Sequence, residues 1–141
     1  MNRKFKIKIF GRRIGFTLTE LLIVVVILGI LATLALPMLV KAIEKAKVGE
    51  AISNLNLIRT GQKIYFLENA YFAGGSSGLD SLNIENPNDT TNAFFDYSIT
   101  TDAGETIDFN ARAQRKSTAP SPYNEHFYDI QSKGTVTGPL L

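Results

Sequence analysis

The sequence predicts an α+β protein: one long N-terminal helix packed on a small antiparallel sheet of three or four strands. Three observations predict it. An uncharged apolar run, Leu21 to Val40, leads into a segment whose apolar residues recur every three or four positions. Past Gly74-Gly75-Ser76-Ser77-Gly78 the pattern changes to short alternating stretches bounded by Gly-bearing turns. The 141 residues suffice for one modest domain, and with no cysteine there is no disulfide framework, thiolate metal site or thiol nucleophile.

The first element sits behind a basic front. Residues 1–15 hold six Lys/Arg and no acid, whereas residues 16–141 hold nine Lys/Arg and thirteen Asp/Glu, and 9 − 13 leaves −4. The folded part is therefore mildly acidic, and direct nucleic-acid binding is not expected. Leu21–Val40 reads LLIVVVILGILATLALPMLV. As a helix these residues span about 30 Å, the thickness of a bilayer's hydrocarbon core. A buried core helix is the alternative, but so short a chain could hardly cover a helix that is apolar on every side. Arg3, Lys4, Lys6, Lys8, Arg12 and Arg13 precede the run, while Lys41, Lys45 and Lys47 follow it among Glu44 and Glu50. The excess of positive charge keeps the N-terminus cytoplasmic and exports the rest. A cleaved secretory signal peptide shares this layout. Here the run is longer than the usual central region, and Pro37-Met38-Leu39-Val40-Lys41 offers no small-x-small cleavage site.

Three residues do not belong in a plain anchor. Glu20 stands at the edge of the run, where a carboxylate drawn into lipid costs about 2.5–3.5 kcal/mol. At the interface it would instead be solvated and would favour the helix N-terminus through the dipole. Gly29 and Pro37 are expected to interrupt the helix, proline by removing a backbone donor and crowding the preceding turn.

Read with Gly15-Phe16, these residues gain a specific meaning. The stretch from Gly15 to Pro37, GFTLTELLIVVVILGILATLALP, closely resembles the N-terminus of type IV pilins and the related pseudopilins of type II secretion. A basic leader ends in Gly15, Phe16 follows, and Glu20 and Pro37 stand at the family's positions. The resemblance implies that a prepilin peptidase cuts between Gly15 and Phe16 on the cytoplasmic side and that Phe16 is N-methylated. It implies that Glu20 serves methylation or assembly, its carboxylate facing the Phe16 ammonium of a neighbouring subunit. Either charge is costly in an apolar environment without the other, so the pair would act as a gauge of register. The resemblance further implies a homo-oligomeric helical filament, an inner-membrane assembly platform, other pilin-like subunits as partners, and helix lost between Gly29 and Pro37 in the filament. The precursor would be a single-pass inner-membrane protein, later a filament in the periplasm or on the cell surface. The leader, residues 1–15, is longer than the shortest in the family.

The remaining segments follow in order: 16–40 the membrane or filament-core half of the helix, 41–67 its amphipathic half, 68–93 an irregular connection, 94–141 the sheet. In the amphipathic half Val48, Ala51, Ile52, Leu55, Ile58 and Tyr65 form one face, with Lys45, Glu50, Asn54, Arg59 and Lys63 largely off it. Gly49 and Gly61 each lower helix propensity by about 1 kcal/mol relative to alanine. Leu79, Leu82 and Ile84 are expected to cover the helix. Phe95, Tyr97 and Ile99 alternate, as do Ile107, Phe109, Ala111 and Ala113, with Asp102-Ala103-Gly104 as the hairpin turn between them. Tyr128 and Ile130 suggest a third strand, and Ser132-Lys133-Gly134 a turn before Val136.

Catalytic patterns are missing. His126 is the only histidine, and its neighbours Ser121 and Asp129 do not make a triad by nearness in sequence. There is no zinc-binding His pair, calcium loop or phosphate loop, so no cofactor and no enzyme activity is expected. Asp96, Asp102, Glu105 and Asp108 surround one hairpin, as a solvated acidic face or a cation site. The chain lacks tryptophan, and with it the Asp-Pro-Trp-Gly stretch usual in major pseudopilins; without cysteine it also lacks the C-terminal disulfide loop of many Gram-negative pilins. Asn88-Asp89-Thr90 fits a glycosylation sequon. Three functions are thus in play: a structural pilin-type subunit, a secretion or DNA-uptake pseudopilin, and an extracytoplasmic binding domain on a signal anchor.

Overall fold

The computed structural model describes residues 15–141, so the leader, apart from Gly15, lies outside the described residues. Helix α1 runs Leu18–Asn69, 52 residues. It ends where Ala70 turns into the left-handed region at φ 64°, its N–H donating to the Phe66 carbonyl. The expected interruption does not occur: α1 continues through both Gly29 and Pro37. Proline deletes a single rung of the ladder, and the rungs on either side suffice to carry the helix past it.

The chain divides between Leu39 and Val40 into two units. In the first, the helical residues bury nothing: the most apolar window of α1 has mean hydropathy 2.9 and none of it is covered by protein.

The second unit has its own core. Four strands, β1 (Phe95–Ile99), β2 (Asn110–Arg115), β3 (Phe127–Gln131) and β4 (Val136–Thr137), form an antiparallel sheet in chain order. Tyr97 lies opposite Ala113, Ala113 opposite Tyr128, and Ile130 opposite Val136. One face of this sheet, Phe95, Tyr97, Ile99, Ala111, Ala113, Tyr128 and Ile130, is buried with Val48, Ala51, Leu55 and Ile58 of α1. The alanines of β2 keep the middle of the sheet thin, and both are fully buried there. Leu79 and Leu82 are buried and Ile84 packs against the same core. A Cβ on Gly61 would come within 2.9 Å of the Ile84 side chain, so the missing side chain admits this cover. The β3–β4 turn closes at Gly134, φ 88°, whose N–H donates to the Gln131 carbonyl.

The β1–β2 connection departs from expectation. Ile107 does not join the strand alternation; β2 begins at Asn110, and Ile107 is 87% exposed. The Glu105 carboxylate accepts from the N–H groups of Thr106 and Ile107, and Asp108 accepts from Phe109 and Ser132. These acceptors hold residues 100–109 as a loop, where a three-residue turn was expected.

Candidate processing and assembly site

Gly15, Phe16 and Thr17 precede the helix and are exposed. The Thr17 carbonyl accepts the first helical bond, from the Leu21 N–H at 3.2 Å. Thr17 is the N-cap: its N–H and its hydroxyl both donate to Glu20 Oε2 at 2.8 Å, and its hydroxyl accepts from the Glu20 N–H at 3.2 Å. This reciprocal capping box was missed in the sequence, although Thr-x-x-Glu before an apolar run is its signature. Glu20 is therefore fixed at the helix start, four residues after Phe16. Gly29 and Pro37 lie about two and a half and nearly five turns past Glu20 along the uncovered helix, and a Cβ at Gly29 would meet nothing. The structure joins Thr17 and Glu20 at the helix start, leaves Phe16 exposed just before them, and places Gly29 and Pro37 further along the helix.

A second polar site was not foreseen. Glu44 and Arg115 are 4% and 5% exposed and form an ion pair between α1 and the inward face of β2. Arg115 donates from Nε to Glu44 Oε2 at 2.9 Å, from Nη2 to Oε1 at 3.3 Å, and from Nη1 to the Phe94 carbonyl at 2.6 Å. Lys47 joins Glu44 at 2.7 Å. The Arg115 hydrogen bond holds the Glu44 carboxyl below its ordinary value, against the opposing effect of burial. Glu44 reads in sequence as one of the charges flanking the membrane run; Arg115 falls on the inward parity of Ala111 and Ala113, and that parity was its signal. Gln62 was likewise missed. Fully buried, it donates to the Ala73 carbonyl at 2.7 Å and accepts from the Ala73 N–H at 3.0 Å, tying α1 to the chain that leaves it.

The other candidates are occupied or dispersed. The acidic hairpin residues do not converge: Glu105 and Asp108 serve backbone N–H groups, and Asp96 lies 3.6 Å from Lys116. Burial works against the Asp108 carboxylate, but the Ser132 and Phe109 donors and the nearby Lys133 hold its pKa below the ordinary value. Among the described residues no three His, Asp or Glu side chains gather as metal ligands. Asp129 pairs with Arg112 through two bonds of 2.8 Å. The sequon's Asn88 donates to the Tyr97 carbonyl and accepts from the Tyr97 N–H, both at 2.8 Å, acting as a partner to the outer edge of β1. Two open clefts of about 350 and 390 Å³ share Asn110 and Gln131 and hold no histidine.

Residues 11–36 match the family described as the prokaryotic N-terminal methylation motif. The N-terminus is of the prepilin type. The chain is 41% identical over 71 residues to type II secretion system core protein G of Aeromonas hydrophila, covering 50% of each chain. It is 38% identical over 68 residues to the protein of the same description from Escherichia coli K12, covering 48% of this chain and 47% of that one. It is 49% identical over 57 residues to the type IV major pilin protein PilA of Myxococcus xanthus, covering 40% of this chain and 26% of the pilin. The chain thus spans about half the length of the secretion-system relatives it matches. The crystal structure of the Neisseria meningitidis non-core minor pilin PilV superposes with a TM-score of 0.51 at 12% identity, over 70% of this chain and 89% of that one. At that identity the match carries the fold alone: behind the prepilin-type N-terminus stands a pilin-like α+β architecture. The uncovered apolar helix and the motif together fit a membrane-anchored precursor.

Proposed function

We propose that the chain is a structural subunit, cut by a prepilin peptidase between Gly15 and Phe16, N-methylated on Phe16, and assembled with further copies and other pilin-like subunits into a type IV pilus-type filament. The observation that carries this reading is the uncovered helix headed by Glu20 within the matched motif. Before assembly the helix lies in the inner membrane, N-terminus in the cytoplasm, and an assembly platform extracts it. On extraction the apolar surface passes from lipid to the helices of neighbouring copies. Glu20 meets the Phe16 ammonium of a neighbour, since either charge left alone among apolar helices is strongly destabilising. An offset subunit strands both charges, which selects one register.

N-terminal mass spectrometry of protein sheared from the native host tests this. A methylated Phe16 terminus in the sheared fraction is the expected result. A terminus at Met1 or Asn2 in functional protein overturns the processing assignment and favours a domain on an uncleaved anchor. A second reading, a pseudopilin of a secretion system, is favoured by the similarity to type II secretion system core protein G. It predicts the same Phe16 terminus confined to the membrane fraction.

A further inference from the structure

We infer that the unit beyond Val40 is charged oppositely on its two flanks, and that the basic flank of one copy docks on the acidic flank of a second copy. On the proposed filament reading, these are the surfaces through which its heads meet. The residues of α1 that directly follow the buried Glu44, Ile58 and Gln62 are Lys45, Arg59 and Lys63, so all three leave the helix on one side. Lys41, four residues before Lys45, joins them. The β3–β4 turn lies against this flank, since Arg59 Nε donates to the Ser132 carbonyl at 2.9 Å, and the turn adds Lys133. The opposite flank holds residues that directly precede buried ones: Glu50 before Ala51 and Gly61 before Gln62, with Glu68 seven residues after Gly61. Residues 79–93 run along that flank. They lie over Gly61, where an added Cβ would meet Leu82 and Ile84, and beyond them the Phe94 N–H donates to Glu50 at 3.0 Å. Asp80, Glu85 and Asp89 stand exposed on this segment, as Glu68 does on the helix.

Nine cations lie beyond Val40, and four of them, Lys47, Arg112, Arg115 and Lys116, are ion-paired within the chain. The other five, Lys41, Lys45, Arg59, Lys63 and Lys133, all belong to the one flank. Residues 64–111 carry eight acids and no base, and Glu68, Asp80, Glu85 and Asp89 enter no ion pair among the described residues. The exceptions on each side are committed elsewhere. Lys47, at the end of the acidic flank, is bound to Glu44 at 2.7 Å, and Asp108, beside Lys133, accepts from the Ser132 and Phe109 N–H groups. The two flanks also match in length, residues 45–63 against 50–68 of one helix, about 27 Å each. A chain that carries both halves of a charge match finds its complement in another copy of itself. An anionic membrane surface or a nucleic acid on the basic flank would leave the acidic flank unanswered. Like flanks repel, so a two-fold dimer is disfavoured and the contact is heterologous. Each bound copy then leaves one flank of each sign free, and repetition gives an open polymer.

Charge reversal and rescue test this on full-length chains in a processing- and assembly-competent host. Lys45→Glu/Lys63→Glu/Lys133→Glu reverses the basic flank, and Glu68→Lys/Glu85→Lys/Asp89→Lys reverses the acidic one; all six side chains are exposed, so the fold is expected to survive. Each triple variant is expected to keep the Phe16 terminus and to lower the yield of polymer about tenfold, because like charges then face each other. The chain carrying all six changes has the match restored in mirror sense, and its yield should return to within about twofold of wild type. A second measurement needs no variant. A carbodiimide, which couples amines only to carboxyls in direct contact, should join Lys45, Lys63 or Lys133 to Glu68, Asp80, Glu85 or Asp89 in wild-type polymer. These groups stand on opposite flanks of one chain, so each such link joins two copies. Phe16-terminated polymer that yields none of these links, triple variants that assemble like wild type, or a folded six-change chain whose yield stays low overturns this interface and leaves the filament reading standing. If the reversed chains fail to fold, the links in wild-type polymer decide. Wild-type chain that is never processed or polymerised overturns both.

Discussion

Replacing Arg115 by methionine isolates the contribution of the buried pair. The substitution keeps most of the volume but removes three hydrogen bonds and leaves the Glu44 carboxylate 4% exposed with Lys47 as its remaining ionic partner. Stranding one member of a buried pair costs about 3–5 kcal/mol, and the surviving Lys47 contact sets the expectation at the lower end, about 3 kcal/mol. Domains of this size have total stabilities of about 5–15 kcal/mol, so the variant loses a large share and its Tm falls by about 12–24 °C. The assay is chemical and thermal denaturation of residues 40–141, which form one compact unit. The dependence on pH separates electrostatics from packing. Glu44 has its pKa lowered in the folded protein, so its stabilisation is complete above the ordinary value of 4.5 and is lost as pH falls through the folded value. In the variant the desolvated carboxylate loses its strongest donor and its pKa rises. The gap between wild type and Arg115→Met is therefore wide at pH 7 and narrows as pH falls through the lowered wild-type Glu44 value, below which both proteins hold Glu44 protonated. The double variant Glu44→Leu/Arg115→Met has no stranded charge and should return to within about 1 kcal/mol of wild type. A single-variant loss below about 1 kcal/mol, or a double variant whose loss is the sum of the two singles, would refute the reasoning.

Two further substitutions probe the ties between elements. Gln62→Leu keeps the bulk but strands the Ala73 N–H and carbonyl in the core; a loss of about 1–3 kcal/mol is expected by the same denaturation assay. Asn88→Ala frees both polar groups of Tyr97 on the outer edge of β1 and should cost about 1–2 kcal/mol, with faster amide exchange at Tyr97 as the local readout. The same geometry predicts that folded protein offered to an oligosaccharide transferase in vitro stays unmodified at Asn88, because that amide is already committed to Tyr97.

The long helix and the four-strand meander were legible because each rests on periodicity, which survives any particular packing. Tyr97 and Phe95 fell on one side and Asp96 and Ser98 on the other, as alternation demands. What misled was the reading of Ile107 by parity alone. Alternation says which side a residue takes once it lies in a strand; it does not say where the strand begins. That was decided by Glu105 and Asp108 capturing backbone donors, an interaction of side chain with main chain that hydropathy does not register. Pro37 misled in a related way: local rules weigh one lost hydrogen bond, whereas the helix is carried by the many others. Glu44, Gln62 and Arg115 escaped for the opposite reason. Each is a polar side chain that looks like surface in a sequence, parity alone marking Arg115, and each is buried because a partner in another segment satisfies it: Arg115 lies 71 residues from Glu44, and Ala73 eleven from Gln62. At the N-terminal site, Gly15, Phe16 and Glu20 stood out through the family resemblance, while Thr17, whose role is purely local, was within reach of the capping rule and was passed over.

The two units carry their stability in different places. Beyond Val40 the core of α1, β1, β2 and β3 is covered by the chain itself, and the buried Glu44, Gln62 and Arg115 find partners within the same unit. From Leu21 to Val40 the large apolar side chains are exposed among the described residues. At roughly 25 cal/mol per Å² of apolar surface, those side chains gain nothing from folding and can gain only from lipid or from other helices. On the proposed filament reading, a subunit so divided would leave the membrane and enter a polymer without rebuilding its head, because the surface exchanged between the two environments is not the surface that stabilises the fold. Substitutions such as Leu31→Ala should therefore leave the denaturation of residues 40–141 untouched while acting on the two associated states of the helix.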